Sequence, residues 1–271
     1  MPNWSSDFVT TNEIRIHYHR TGGNKPPLVL AHGLTDTGLC WIRVAQVLEQ
    51  DYDVIMVDAR GHGYSDAPQT GYSPLDHAAD LAGLVGALGL EKPALMGHSM
   101  GADNVAALAA NYPDLAGYII LEDPPWEVDS DSIPPAEIRK EWRQQLADYK
   151  TMTPEELIAL RKQESPTWND VEFDPWSEAK MLVNPNVLQF IGSPRNWRDT
   201  VSKITCPALL VTADPEAEAI VTPEIARSVA ETNPNIQIIR LNGAGHNIRR
   251  EQFQPFVDAV KTFLAETLAS N

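Results

Sequence analysis

Short apolar runs recur along this chain, and a helical pattern follows most of them. Residues 28–31, 54–57, 94–96, 118–121 and 208–211 are unbroken apolar stretches, and 236–241 is a sixth, more mixed one. Runs this short and this apolar read as strands covered on both faces. Residues 14–18 alternate instead, as an early antiparallel strand does. Helix-like stretches lie near 41–50, 74–88, 100–111, 223–231 and 252–269. Strand and helix alternating at this spacing predict an α/β fold, a mostly parallel sheet with helices on both faces.

The alternation stops after Asp123 and resumes at Cys206-Pro207. Between them prolines are frequent and no strand pattern stands out. Five of the seven tryptophans fall there: Trp126, Trp142, Trp168, Trp176 and Trp197. The simplest account is a helical cap over 124–199, inserted after the sixth strand into a core formed by 1–123 and 200–271. Its tryptophans predict a mostly apolar pocket roof, with Trp126 the first candidate for substrate contact. Asp129 and Asp131 lie in a Ser-rich loop with no third ligand at a recognisable spacing, so they read as solvated acids rather than a metal site.

With 271 residues the chain can bury a full core. Its formal net charge of -16 repels phosphate backbones, which argues against nucleic-acid binding and mildly favours neutral substrates. The cysteines, Cys40 and Cys206, have no metal or redox spacing. The first ten residues carry no apolar run and no stretch has the length of a membrane span, so a cytoplasmic protein without a membrane partner is expected.

One segment carries chemistry. Gly97-His98-Ser99-Met100-Gly101 stands between an apolar run and a helical pattern. Two glycines let the backbone turn sharply there and lift the Ser99 hydroxyl to the carboxyl end of the sheet. A serine needs a base within hydrogen-bond reach. Of the seven histidines, His246 in Gly243-Ala244-Gly245-His246 follows the last strand, at the sheet edge where open α/β sheets bind ligands.

In these segments, and in Cys206–Val211 ahead of the usual acid, the chain resembles the α/β-hydrolase fold family, in particular its esterase-like serine hydrolases with a helical cap. His32-Gly33-Leu34 looks like that family's oxyanion segment, and Asp58-Ala59-Arg60-Gly61-His62-Gly63-Tyr64-Ser65 like a segment common among esterases. The resemblance implies Ser99 as nucleophile, His246 as base, and an oxyanion hole of the Leu34 and Met100 backbone N–H groups. His32, Asp58, Arg60 and His62 then become structural.

The resemblance leaves the acid open. Asp214 is nearest the end of its strand and is the first choice. Counting from Pro207 gives Glu216, and counting back from His246 gives Glu218. Some members carry the acid after the sixth strand, where Asp123 stands. The implied activity is hydrolysis of a small, neutral, partly apolar ester or lactone through an acyl-enzyme, with no metal or organic cofactor. Carbon–carbon bond hydrolysis, perhydrolysis, acyl transfer and a slow-turnover ligand sensor are the alternatives.

Overall fold

The computed structural model describes residues 4–126 and 135–269; Asp129 and Asp131 lie outside them. The strands are β1 (Ser5–Thr11), β2 (Ile14–Arg20), β3 (Pro27–Ala31), β4 (Asp53–Val57), β5 (Ala94–His98), β6 (Tyr118–Glu122), β7 (Ala208–Thr212) and β8 (Ile236–Arg240). They form one sheet in the order β1-β2-β4-β3-β5-β6-β7-β8. Pairing is antiparallel from β1 to β2 and from β2 to β4, and parallel across the rest.

The apolar runs are strands because both of their faces are covered. Val29, Ile55, Leu95, Ile119 and Leu210 enter one core cluster. Leu28, Val54, Met96, Ile120 and Leu209, one residue out of phase, enter another on the opposite face. This is the two-residue period of a strand sandwiched between helices. Helices α2 (Pro74–Ala87) and α3 (Met100–Asn111) cover the first face, with α8 (Pro223–Thr232). Helices α1 (Ile42–Leu48) and α9 (Phe253–Ala269) cover the second. Strand β1 has no apolar pattern because it is a polar edge strand; only Val9 of its seven residues is buried.

Between β6 and β7 the described residues hold helices and no strand: α4 (Pro135–Tyr149), α5 (Pro154–Glu164), α6 (Phe173–Leu182) and α7 (Trp197–Lys203). Helix α5 starts where Thr153 and Glu156 form a reciprocal capping box ahead of Pro154. Leu146, Leu157, Phe173, Trp176, Val183 and Leu188 make a third apolar cluster, which Tyr72 of the core joins. Helix α7 departs from this grouping: Trp197 and Val201 pack into the first core cluster. The expected cap end at 199 therefore cuts a helix that sits on the core. Among the described residues no helix is long and apolar enough to cross a membrane.

Several buried histidines are held neutral. His32 accepts the Ala59 N–H on Nε2 (3.0 Å), leaving Nδ1 to donate to the Gly33 carbonyl (2.8 Å). Burial pushes its pKa below the ordinary 6.5, and pushes those of His77 and His98 well below it. The unfolded chain then binds protons that the folded chain refuses, so stability is full above about pH 6.5 and declines as pH falls below it. We expect the thermal midpoint to drop steadily between pH 7 and pH 5. A midpoint constant across that range would refute it.

Candidate active site

Ser99 follows β5 directly and caps α3, with φ 52° and ψ -119°. A non-glycine residue held there stores roughly 1–3 kcal/mol of strain. The surroundings fix it: the Ser99 N–H donates to the Glu122 carbonyl (2.9 Å), and its own carbonyl accepts the Ala102 and Asp103 N–H groups. Neither flanking glycine has room for a side chain. A Cβ on Gly97 would meet the Gly101 carbonyl, and one on Gly101 the Ala31 carbonyl. The N–H of Met100 lies in the first turn of α3, where a helix leaves its donors without intrahelical acceptors.

The strand register brings a carboxylate to the same edge. His98 of β5 pairs with Glu122 of β6, so Ser99 and Asp123 leave neighbouring strands side by side. Asp123 also has a positive φ, 42°. It is fully buried. Its carboxylate accepts the Ile220 and Val221 N–H groups (both 2.9 Å at the nearer oxygen) and faces Nδ1 of His246 at 2.6 Å. Behind this ring, Nε2 of His98 donates to the His246 carbonyl at 2.9 Å and steadies the loop.

Asp214, the first choice for the acid, is turned elsewhere. It takes the Arg240 guanidinium (2.8 Å) and the Gly243 N–H (2.7 Å), and these bonds lower its pKa. It braces the histidine loop from outside and does not face His246. Glu216 is exposed and stands 4.0 Å from Arg240. Glu218 occupies a left-handed turn position. The carboxylate beside His246 is Asp123, because β6 adjoins the nucleophile strand and β7 lies one strand further out.

The segment facing Ser99 is clamped. His62 Nε2 lies 2.6 Å from the Leu34 carbonyl, and the Asp36 N–H donates to Gly33 (3.1 Å). Asp58 accepts the Gly38 and Tyr64 N–H groups and bonds Nδ1 of His17, whose Nε2 meets the Ser6 hydroxyl. His17, His19 and Asp58 place three ligand-type atoms within 4.8 Å of one another, and both sides of the His17 ring are engaged in these bonds. Arg60 pairs with Asp80 at the foot of the same turn.

Sequence reasoning missed a buried charge network behind the site. Asp36 meets Arg249 (3.2 Å), Arg250 (3.1 Å) and Lys180 (3.3 Å). Arg249 continues to Glu122 (3.1 Å), and Arg250 to Glu172 (2.9 Å). Three cations thus face three carboxylates. Burial alone would raise the pKa of Asp36; Arg250, then Lys180 and Arg249, overcome it and hold the carboxyl well below its ordinary value. Lys180 and Glu172 belong to the insert and the other four to the core, so the network joins the two. Lys180 also donates to the Thr35 carbonyl (2.6 Å), next to Leu34. The one available signal was the pair Arg249-Arg250 directly after the histidine loop.

Between core and insert lies a cavity of about 270 Å³, lined by Leu34, Ser99 and His246 below and by Trp142, Trp168 and Trp176 above. Arg161, Lys180 and Arg250 also reach it, so its roof is aromatic and cationic rather than simply apolar. Trp126 is not part of it. That ring is wholly buried behind α3, stacked on Trp197 at 5.8 Å, and donates to Asp103 at 2.9 Å. The expected substrate contact is a core anchor.

The family model described as alpha/beta hydrolase fold matches residues 26–249. The chain is 30% identical to N-formylmaleamate deformylase of Pseudomonas putida (strain KT2440) over 279 aligned positions, 96% of each chain. It is 28% identical to 2-(acetamidomethylene)succinate hydrolase of Mesorhizobium japonicum over 257, 90% of each. Among solved structures it is similar to a malate-bound esterase from Thermogutta terrifontis, with TM-score 0.76 and 25% identity over 97% of this chain and 99% of that one.

Removing Asp36 leaves Arg249, Arg250 and Lys180 crowded without their shared partner. Breaking a buried pair from one side costs about 3–5 kcal/mol. We expect Asp36→Ala to lose stability on that scale in urea unfolding. A loss below about 1 kcal/mol, the level of an exposed pair, would show that the network carries no such role.

Proposed function

The chain belongs to the α/β-hydrolase fold family, and on that premise we propose that it is a serine hydrolase acting through a Ser99–His246–Asp123 triad on an acyl bond of a small organic acid derivative. The observation that carries this reading is the 2.6 Å contact between His246 and a buried Asp123 at the mouth of the strand next to Ser99.

Each group has a task it is suited for. His246 takes the Ser99 proton as the oxygen attacks the carbonyl carbon. The Asp123 carboxylate accepts the Nδ1–H, fixes the tautomer that leaves Nε2 free, and stabilises the imidazolium that forms. The Leu34 and Met100 N–H groups take the oxyanion; one such donor is worth about 2.7–4 kcal/mol. His246 then protonates the leaving atom, which departs and leaves Ser99 acylated. A water that loses its proton to His246 attacks the acyl carbon and frees the acid. Asp123 already accepts Ile220 and Val221, so its charge is held in place before substrate arrives.

The leaving atom is the point at which the ester reading gives way. The two relatives aligned over nine-tenths or more of both chains are named for an N-formyl and an acetamido group, on acids. They favour an acyl–nitrogen bond as the natural target. The structurally similar esterase keeps esters in the range. Carbon–carbon hydrolysis uses the same machinery and is the second reading, with His246 protonating a carbon leaving group.

A panel of an N-acyl enamine acid, its ester counterpart and a vinylogous diketone acid separates these readings by which is turned over fastest. On the best substrate, Ser99→Ala abolishes turnover and covalent labelling by a fluorophosphonate. Asp123→Asn lowers kcat by about 10⁴, as loss of the orienting acid does elsewhere. Asp214→Asn stays close to wild type. Labelling that persists in Ser99→Ala overturns the nucleophile, and a large kcat loss in Asp214→Asn with none in Asp123→Asn overturns the acid.

A further inference from the structure

Three cations reach the cavity, and they differ in what is left to them. Lys180 spends its ammonium on the Thr35 carbonyl and hydroxyl and on Asp36. Arg250 spends its fork on Glu172, Asn247 and Asp36. Arg161, on α5, is less fully committed: Nη1 meets exposed Glu164 (3.3 Å) and Ser165 (3.4 Å), and the guanidinium also bonds the Tyr149 side chain. Its Nε–H is buried and has no acceptor. Nearby, the Nε1–H of Trp168 is buried and has no acceptor either.

These two orphaned donors belong together. The Arg161 guanidinium carbon stands 5.4 Å from the centre of the Trp168 ring and 4.5 Å from that of Trp176. Both rings line the cavity, as does Arg161. A buried N–H without an acceptor costs about 1–3 kcal/mol, more when the group is charged. One ligand relieves both costs: a planar anion with two oxygens, which an arginine recognises better than any other side chain. The two indoles lie within cation–π range of the guanidinium and favour its charge where it meets the cavity.

We propose that Arg161, with the Trp168 N–H, is the carboxylate-binding end of the substrate site. The acyl group then lies at Ser99 on the core side while a carboxylate of the same molecule is held by the insert. Arg161 is on this view the specificity-determining residue for acids over neutral substrates. The proposal rests on the hydrolase reading for its catalytic consequence, but its binding consequence stands apart from it.

The test therefore has two arms. In the first, succinate is titrated into the Ser99→Ala protein, and binding is read by calorimetry and by the fluorescence of the cavity tryptophans. Saturable binding is expected, weakened at least about tenfold by adding Arg161→Gln and partly recovered with Arg161→Lys. Trp168→Phe keeps an aromatic ring, removes the N–H and weakens binding several-fold; it serves if the arginine variants do not fold. Equal affinity with and without Arg161 in folded protein, or with and without the Trp168 N–H where it alone folds, overturns the proposal. So does the absence of saturable binding.

In the second arm, kcat/KM is compared for p-nitrophenyl hemisuccinate and p-nitrophenyl propionate. Wild type favours the charged ester, and Arg161→Gln lowers that ratio about tenfold or more. An unchanged ratio overturns the assignment of specificity. If wild type turns over neither ester nor any of the panel substrates, the hydrolase reading fails, and the succinate arm still decides the binding site.

Discussion

The parallel pairing of β5 with β6 is the contact on which the site depends. It sets His98 opposite Glu122, so the next residue of each strand emerges at the same edge. Both of those residues, Ser99 and Asp123, have backbone angles that ordinary side chains avoid. A parallel ladder supplies the restraint they need. The Ser99 N–H is tied to Glu122, and the Asp123 N–H to Val211 on the far side. Strain at one position is thus balanced by pairing across three adjacent strands, and two side chains far apart in sequence are fixed in one geometry. Neither could be held so by its own loop.

The second layer of the design is ionic. Asp36 sits just past the segment that faces Ser99, and its carboxylate gathers Arg249, Arg250 and Lys180. Two of these partners follow the His246 loop, and the third comes from the insert. One carboxylate thereby relates three parts of the cavity: the segment facing Ser99, the His246 loop and the roof. Buried pairs of this kind contribute little net stability compared with apolar packing, and their best-supported use is to specify one arrangement among several. The insert's apolar cluster reaches the core only through Tyr72 and, at its edge, Leu34. The ion pairs supply direction where the hydrophobic effect has none.

Much of this was legible in the chain, and the parts that were not share a cause. The strands could be read because two-sided burial demands unbroken apolar runs. The turn at Ser99 could be read because two glycines and a strand–helix junction leave a local trace, and the His246 loop because it closes the last strand. The choice of acid could not. Asp214 and Asp123 both follow apolar strands; closeness to a strand end favours Asp214, and counting residues along the chain gives Glu216 or Glu218 instead. What separates them is the order of strands across the sheet, which places β6 beside β5 and β7 beyond it. Trp126 misled for a similar reason. It stands three residues past Asp123, yet its ring is buried against Trp197 and bonds Asp103 of α3. Neighbours in sequence fix composition; neighbours in the sheet fix chemistry.

The net charge shows the same limit from another side. A balance of -16 argues for neutral substrates only if the whole surface acts on the ligand alike. Salt at physiological strength confines the influence of exposed charges to about 8 Å. The distant acids therefore affect the rate of approach more than the bound state. Inside the cavity the relevant charges are few and close. Asp36 and Glu172 largely neutralise Lys180 and Arg250. Arg161 faces a carboxylate that is half exposed, so solvent weakens that pair, while the indoles beside it leave the inner edge of the guanidinium dry. On the proposed reading, an acidic protein keeps a site for acids in this way: the surface slows their arrival, and an incompletely paired arginine, placed where the dielectric is low, is what would hold the one that enters.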